Sequence, residues 1–118
     1  MCINQRRITM NTLGGTFFFK ITDSGNIIGE FSNSDCDRTY TESADRTLPH
    51  SYDGKFTGSY ITTWQENEEP QLSHLTILPK NGHKVFSLEW KDKHGKSMFT
   101  GEGILCDNIL IGNYQGAK

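Results

Sequence analysis

Apolar and polar residues alternate along most of this chain, a pattern typical of half-buried β-strands, and helical periodicity is nearly absent. In residues 15–22, the side chains of Phe17, Phe19 and Ile21 share one face of a predicted strand, whereas Phe18 lies on the other face among polar residues. The Asp-Ser-Gly-Asn sequence that follows provides turn chemistry, because glycine and asparagine tolerate positive φ angles. A β-hairpin is therefore predicted here.

Strand signals recur along the chain, separated by turn residues. Residues 55–64 alternate most clearly, with Phe56, Tyr60 and Trp64 on one face. The eight predicted strands cover residues 6–10, 15–22, 26–32, 55–64, 73–78, 84–91, 97–106 and 109–115.

Short turns join most of these strands, so strands that are neighbours in sequence are expected to pair in space. An antiparallel meander of eight strands tends to close, because closure removes exposed strand edges. We therefore predict an all-β chain whose residues 1–118 form a single eight-stranded antiparallel up-and-down barrel. A two-sheet sandwich is the main alternative, because it produces the same pattern.

The alternation stops in residues 33–54, which are polar and contain Leu48 as their one large aliphatic residue. Long segments without secondary structure in small domains are usually functional or disordered. We interpret residues 33–54 as a long polar loop that acts as a lid over a barrel mouth, with a mobile surface loop as an equal alternative. Residues 1–5 are expected to be disordered.

Composition excludes several classes of function. The formal net charge is −2 and the basic residues form no stripe, which argues against nucleic acid as a partner. No apolar run approaches membrane-spanning length, and no signal peptide is visible at the start of the sequence. We therefore expect no membrane partner.

The three cysteines are Cys2, Cys36 and Cys106, and their wide spacing suggests neither a disulfide framework nor a zinc site. We expect reduced thiols and a cytoplasmic location, with a bridge between Cys36 and Cys106 left open. We also expect no metal ion and no cofactor. Serine, histidine and aspartate are plentiful, but no catalytic signature organises them.

Several short segments resemble strands of the avidin and streptavidin family. They are NTLGGTF at residues 11–17, IGEF at 28–31, TGSY at 57–60, FSLEWK at 86–91 and SMFTG at 97–101. The segments follow the family's order over most of the chain, so the resemblance implies an avidin-like or lipocalin-like (calycin-type) barrel. In that family the barrel mouth binds biotin.

Transferred position by position, the resemblance implies a ligand-binding mouth with aromatic walls and a few polar groups. The implied ligand-binding residues are Asn11, Phe31, Asn33, Trp90, Ser97 and Phe99. Two positions depart from the family, because Gly15 and Phe31 stand where it has hydroxyl groups. The family's inter-subunit tryptophan and its late ring-contacting aspartate have no match either. We therefore predict that the chain does not bind biotin tightly.

The function favoured by these observations is non-enzymatic binding of a small apolar ligand at the barrel mouth. Phenylalanine and tryptophan side chains would bury the ligand, and Asn11, Asn33 and Ser97 would orient it. The first alternative is a protein–protein interaction module with a filled barrel, which binds a protein partner or a second copy of itself. A small enzyme that uses the same mouth is the third hypothesis.

Overall fold

The computed structural model describes residues 14–36, 38–66, 68–80, 82 and 84–117, and these contain eight β-strands and no helix. The strands are β1 (Gly14–Ile21), β2 (Ile27–Asn33), β3 (Tyr40–Leu48), β4 (Gly58–Glu66), β5 (Glu69–Lys80), β6 (Val85–Lys91), β7 (Ser97–Cys106) and β8 (Ile109–Gly116).

Each strand pairs antiparallel with the next strand in sequence, and β8 returns to pair with β1. In the closing pair Phe17 of β1 stands opposite Gly112 of β8, and Phe19 stands opposite Leu110. The sheet is therefore a closed up-and-down barrel without a free edge. The predicted fold class is confirmed, and the sandwich alternative is excluded.

The interpretation of residues 33–54 as a loop without a strand is wrong, because β3 lies within them and pairs with both β2 and β4. Its inward positions alternate between Tyr40 and Ala44 and the polar Glu42 and Arg46, so the strand has no continuous apolar face that periodicity could detect. Backbone pairing with both neighbours places β3 in the wall. The first predicted strand, residues 6–10, lies outside the described residues, as do residues 1–5.

The rest of that segment divides between the two ends of the barrel, so it does not form one lid over a mouth. Residues 34–39 connect β2 to β3 at the end where β1 begins, and residues 49–57 connect β3 to β4 at the opposite end. We call the first end the aromatic end and the second the Arg46 end, after the side chains found there.

Inward-facing side chains from the strands fill the barrel. The rings of Phe17 and Phe19 lie 5.5 Å apart between centroids, and Phe17 meets Trp90 edge-on at 5.8 Å. The shared faces predicted for β1 and β4 are the inward ones. The buried hydrophobic residues are Phe17, Phe19, Ile27, Phe31, Ala44, Phe56, Tyr60, Trp64, Leu75, Ile77, Phe86, Leu88, Trp90, Phe99, Leu110 and Tyr114.

Candidate functional site

The predicted site residues that the structure describes all lie towards the aromatic end of the barrel, where Phe31, Trp90 and Phe99 are buried. This follows from their strand positions, because β2 and β6 end there and β7 begins there. Asn11 lies outside the described residues. The others are Phe31, Asn33, Trp90, Ser97 and Phe99.

Tyr114 of β8 connects four of these residues, although the sequence analysis did not single it out. Its ring centroid lies 6.3 Å from that of Phe31, 6.0 Å from that of Trp90 and 5.8 Å from that of Phe99. Its hydroxyl accepts a hydrogen bond from Nδ2 of Asn33 at 2.7 Å. Burial raises the pKa of Tyr114 well above its usual value, so this hydroxyl stays protonated at neutral pH.

The position of the Tyr114 ring explains why residue 15 is a glycine. A Cβ atom on Gly15 would lie 2.5 Å from Cζ of Tyr114 and 2.5 Å from the carbonyl oxygen of Ser32. A Cβ atom on the preceding Gly14 would meet nothing closer than 4.0 Å. The ring of Tyr114 therefore occupies the space in which the family resemblance places a hydroxyl side chain.

A carboxyl group lies inside the barrel at this end. Glu42 of β3 is 1% exposed, and its Oε2 accepts hydrogen bonds from Oγ1 of Thr62 at 2.5 Å and from Nε1 of Trp90 at 2.9 Å. Glu42 forms no ion pair with a described residue. The barrel thus holds a buried acidic group whose charge no described cation neutralises.

Burial raises the pKa of Glu42 from 4.5 to about 7, because a charged carboxylate loses its hydration inside the barrel. The hydrogen bonds from Thr62 and Trp90 act in the opposite direction, since they stabilise the ionised form. Near neutral pH both protonation states of Glu42 are therefore populated. The ionised carboxylate accepts hydrogen bonds or pairs with a cation, whereas the protonated carboxyl group also donates one hydrogen bond.

Two buried polar atoms in the described part of the barrel lack a hydrogen-bond partner, Oε1 of Glu42 and Oγ of Ser97. Both belong to the aromatic end. Leaving a buried polar group unsatisfied costs about 1–3 kcal/mol, and native proteins satisfy nearly all of them. Ser73 shows the usual arrangement, since its Oγ donates to the carbonyl oxygen of Lys91 at 2.9 Å.

Aromatic side chains continue outward to the rim of this end. Trp64 lies edge-on to Phe31 with 6.1 Å between ring centroids, and its Nε1 donates to Oε1 of Glu66 at 2.7 Å. Tyr40 stacks on the same Phe31 ring at 5.9 Å, and the guanidinium of Arg38 lies 5.7 Å from the Tyr40 centroid. The aromatic end thus carries rings from its buried floor to its rim.

The opposite end is organised by Arg46, which points inward from β3. Its guanidinium donates hydrogen bonds to the carbonyl oxygens of Gly25 (2.8 Å), Lys55 (2.7 Å) and Thr57 (2.9 Å) and to the hydroxyl of Tyr60 (2.8 Å). These bonds attach the segment between β3 and β4 to the β1–β2 hairpin. The role of Arg46 is therefore structural.

A cavity of about 580 Å³ opens at the Arg46 end. Its apolar lining includes Ile21, Phe56, Phe86 and Leu105, and Tyr52 stands at its edge. No residue of the predicted ligand site belongs to this lining. It therefore provides a physically separate reference point for binding experiments.

The expectation of reduced thiols is wrong for Cys36, which is disulfide-bonded, whereas Cys106 is a free, exposed thiol. The open question of a bridge between Cys36 and Cys106 is thereby answered, because that bridge is absent. Disulfides belong to oxidising environments. The predicted cytoplasmic location therefore loses the support of the cysteines and stays a prediction.

Two kinds of feature are absent from the described ranges. No group of three or more histidine, cysteine, aspartate or glutamate side chains there is arranged to hold a metal ion. No helix there is long and apolar enough to cross a membrane.

No family model, curated protein or solved structure matches the chain. The closed eight-stranded antiparallel barrel is compatible with a calycin-like fold. The chain is an all-β up-and-down barrel with a buried carboxyl group inside its aromatic end.

Proposed function

We propose that this chain is a non-enzymatic binding protein that takes a small, mostly apolar molecule into the aromatic end of its barrel. The observation that carries the proposal is the pair of buried, unpartnered polar atoms, Oε1 of Glu42 and Oγ of Ser97. A ligand with one polar group supplies the missing partner, and its release leaves the group unsatisfied again.

The surrounding side chains fit the remainder of such a ligand. Phe31, Trp90 and Phe99 provide apolar walls, and a planar or aliphatic group is stabilised against them by burial. Access requires the Tyr114 ring to swing away from these three rings, because it now packs against all of them. Nδ2 of Asn33, which donates to the Tyr114 hydroxyl, would orient the ligand in this proposal.

We also infer that the barrel is avidin-like, on the strength of the colinear motifs and of the closed eight-stranded architecture. Biotin is not the ligand in this proposal. The space for a hydroxyl at Gly15 is filled by the Tyr114 ring, and Phe31 has no hydroxyl to donate. Sites that recognise a polar group lose several orders of magnitude in affinity when the matching groups are missing.

The proposal is tested by titration with benzylamine, benzyl alcohol and toluene at pH 8, monitored by the fluorescence of Trp64 and Trp90. The three probes share a ring and differ in the polar group offered to Glu42. We expect the two polar probes to bind about tenfold more tightly than toluene, the worth of one hydrogen bond. Biotin, measured by calorimetry, is expected to bind no more tightly than about 1 μM, because its hydroxyl partners are absent.

Variants at both ends of the barrel locate the binding. Glu42→Gln and Ser97→Ala should reduce the preference for the polar probes, whereas Phe86→Leu, in the cavity of the Arg46 end, should leave it unchanged. Equal binding of all three probes, or binding that responds to Phe86→Leu and not to Glu42→Gln, contradicts the proposal.

The second candidate function is a protein-interaction module with a filled barrel. It is favoured by the packing of the interior, where Phe17, Phe19 and Trp90 are 3% exposed or less. Under this candidate none of the three probes changes the tryptophan fluorescence, and the outer wall of the barrel carries the function.

A further inference from the structure

An uninterrupted line of apolar side chains crosses the outside of the barrel. The register pairs Val85 with Ile104, Ile104 with Ile111, and Ile111 with Phe18, so one outward residue from each of β6, β7, β8 and β1 stands beside the next. We call these four residues the outer row. Ile104 is 55% exposed and Ile111 is 46% exposed.

Neighbouring residues widen the outer row into a surface. Lys20 lies two residues after Phe18 on β1, and its register partners are Ile28 on β2 and Ile109 on β8. Ile28 is 46% exposed. A groove of about 750 Å³ runs along the outer row and is lined by Phe18, Ile104 and Ile111. The surface thus offers both apolar ridges and a depression beside them.

Single exposed apolar residues are common on soluble proteins, but contiguous ones mark interaction sites. Leu72 of β5 provides the comparison within this chain. It is 54% exposed, about as much as Ile104, yet its register partner on β4 is Thr63. The outer row differs from such isolated residues in its continuity over four strands.

The charges beside the outer row are arranged about Ile111. Lys20 lies on one flanking strand, two residues beyond Phe18, and Glu102 lies on the other flanking strand, two residues before Ile104. With strands about 4.8 Å apart and about 3.4 Å of rise per residue, each charged residue is roughly 8 Å from Ile111, in opposite directions. Glu102 also pairs with Lys80 of the same chain at 2.6 Å, on the exposed surface.

From this arrangement we propose that the outer row binds a second copy of the chain. In a two-fold symmetric dimer a surface must complement itself. With the axis passing by Ile111, the isoleucines of the two copies meet, and Lys20 of each copy faces Glu102 of the other. The two apolar rows are buried against each other, and two symmetry-related ion pairs set the orientation. The dimer does not depend on the proposed ligand.

The experiment is sedimentation equilibrium of the full chain, with charge-reversed variants. Lys20→Glu and Glu102→Lys should each raise the dimer dissociation constant about tenfold, because each puts like charges opposite one another across the axis. The double variant Lys20→Glu/Glu102→Lys should return to within about threefold of the wild-type value, since it restores both pairs with reversed polarity.

Two matched variants test the apolar part. Ile104→Glu should raise the dissociation constant about a hundredfold or more, because it buries an unpaired charge in the interface. Leu72→Glu introduces the same charge at an equally exposed residue on β5 and should leave it unchanged. A circular dichroism spectrum confirms that each variant is folded.

Three results would overturn the proposal. One is a wild-type chain that is monomeric throughout the concentration range. A second is a double charge variant that associates no better than the single ones. The third is an equal response to Leu72→Glu and Ile104→Glu, which would show that dimerisation does not use the outer row.

Discussion

Glu42 combines a charge with an environment that disfavours charge. It is 1% exposed, and within the described ranges hydrogen bonds from Thr62 and Trp90 support its ionised form. Because the pKa in the folded chain is raised from 4.5 to about 7, the folded state holds a proton that the unfolded state has already lost in the window between these values. Folding and the protonation of Glu42 are therefore linked.

The first residue-scale prediction concerns the pH dependence of stability. The contribution of Glu42 to the free energy of unfolding is complete below pH 4.5, decreases as the pH rises towards 7 and is lost above it. A pKa shift of this size corresponds to about 3 kcal/mol. Glu42→Gln should therefore gain stability relative to wild type over this window. Urea unfolding at a series of pH values measures it.

The control for this measurement is Glu69→Gln, on the exposed start of β5. It should follow the wild-type pH dependence. If the free energy of unfolding of wild type and of Glu42→Gln changed in parallel with pH, the pKa of Glu42 would not be raised in the folded chain.

The second residue-scale prediction concerns Gly15. Gly15→Ala places a methyl group 2.5 Å from both the Tyr114 ring and the Ser32 carbonyl oxygen, so the ring or the strand must shift. We expect a loss of about 1–3 kcal/mol in the free energy of unfolding, as for other overpacked sites. Gly14→Ala is the matched control, because its nearest contact is at 4.0 Å, and it should cost little. Equal effects of the two substitutions would contradict this account.

At the scale of elements, β3 shows how a strand forms without an apolar face of its own. Its inward polar side chains, Glu42 and Arg46, are directed to opposite ends of the barrel; Arg46 bonds to groups on other elements, whereas Oε1 of Glu42 has no hydrogen-bond partner among the described residues. The strand in this way contributes polar groups to both ends while its backbone completes the wall.

The element-scale prediction concerns the segment of residues 49–57. Arg46→Met keeps the aliphatic stem and removes the bonds to Gly25, Lys55 and Thr57, so this segment should detach from the barrel end. We expect faster amide hydrogen exchange there and a loss of about 2–3 kcal/mol, typical of hydrogen bonds to a charged group. Lys55→Met removes a positive charge from the same segment without removing these bonds. Unchanged exchange in Arg46→Met would show that the segment is held by other contacts.

At the scale of the whole molecule, closure of the sheet gives the barrel two ends and an outer wall that differ in chemistry. The aromatic end holds a buried acid, the Arg46 end holds a cation satisfied by carbonyl oxygens, and the outer row lies on the wall between them. Ligand binding inside and association outside therefore use separate surfaces and can be tested separately.

The sequence alone predicted most of this architecture. Alternation located seven of the eight strands, and short turns implied the order in which they pair, because both signals are local. It missed β3, whose inward face includes the polar Glu42 and Arg46. The family resemblance proposed Phe31, Asn33 and Ser97 as site residues, which stays a prediction, and the structure places all three towards the same end of the barrel.

The places of Tyr114 and Glu42 in the candidate site could be recognised only from the tertiary structure. Gly15 and Tyr114 are about a hundred residues apart, and the steric reason for the glycine exists only once β8 pairs with β1. Glu42 acquires its raised pKa only when the closed barrel buries it, against the opposing effect of the hydrogen bonds from Thr62 and Trp90. Local patterning thus determined the strands and their order, whereas closure of the barrel decided which side chains meet inside it, because those contacts join residues that are distant in sequence.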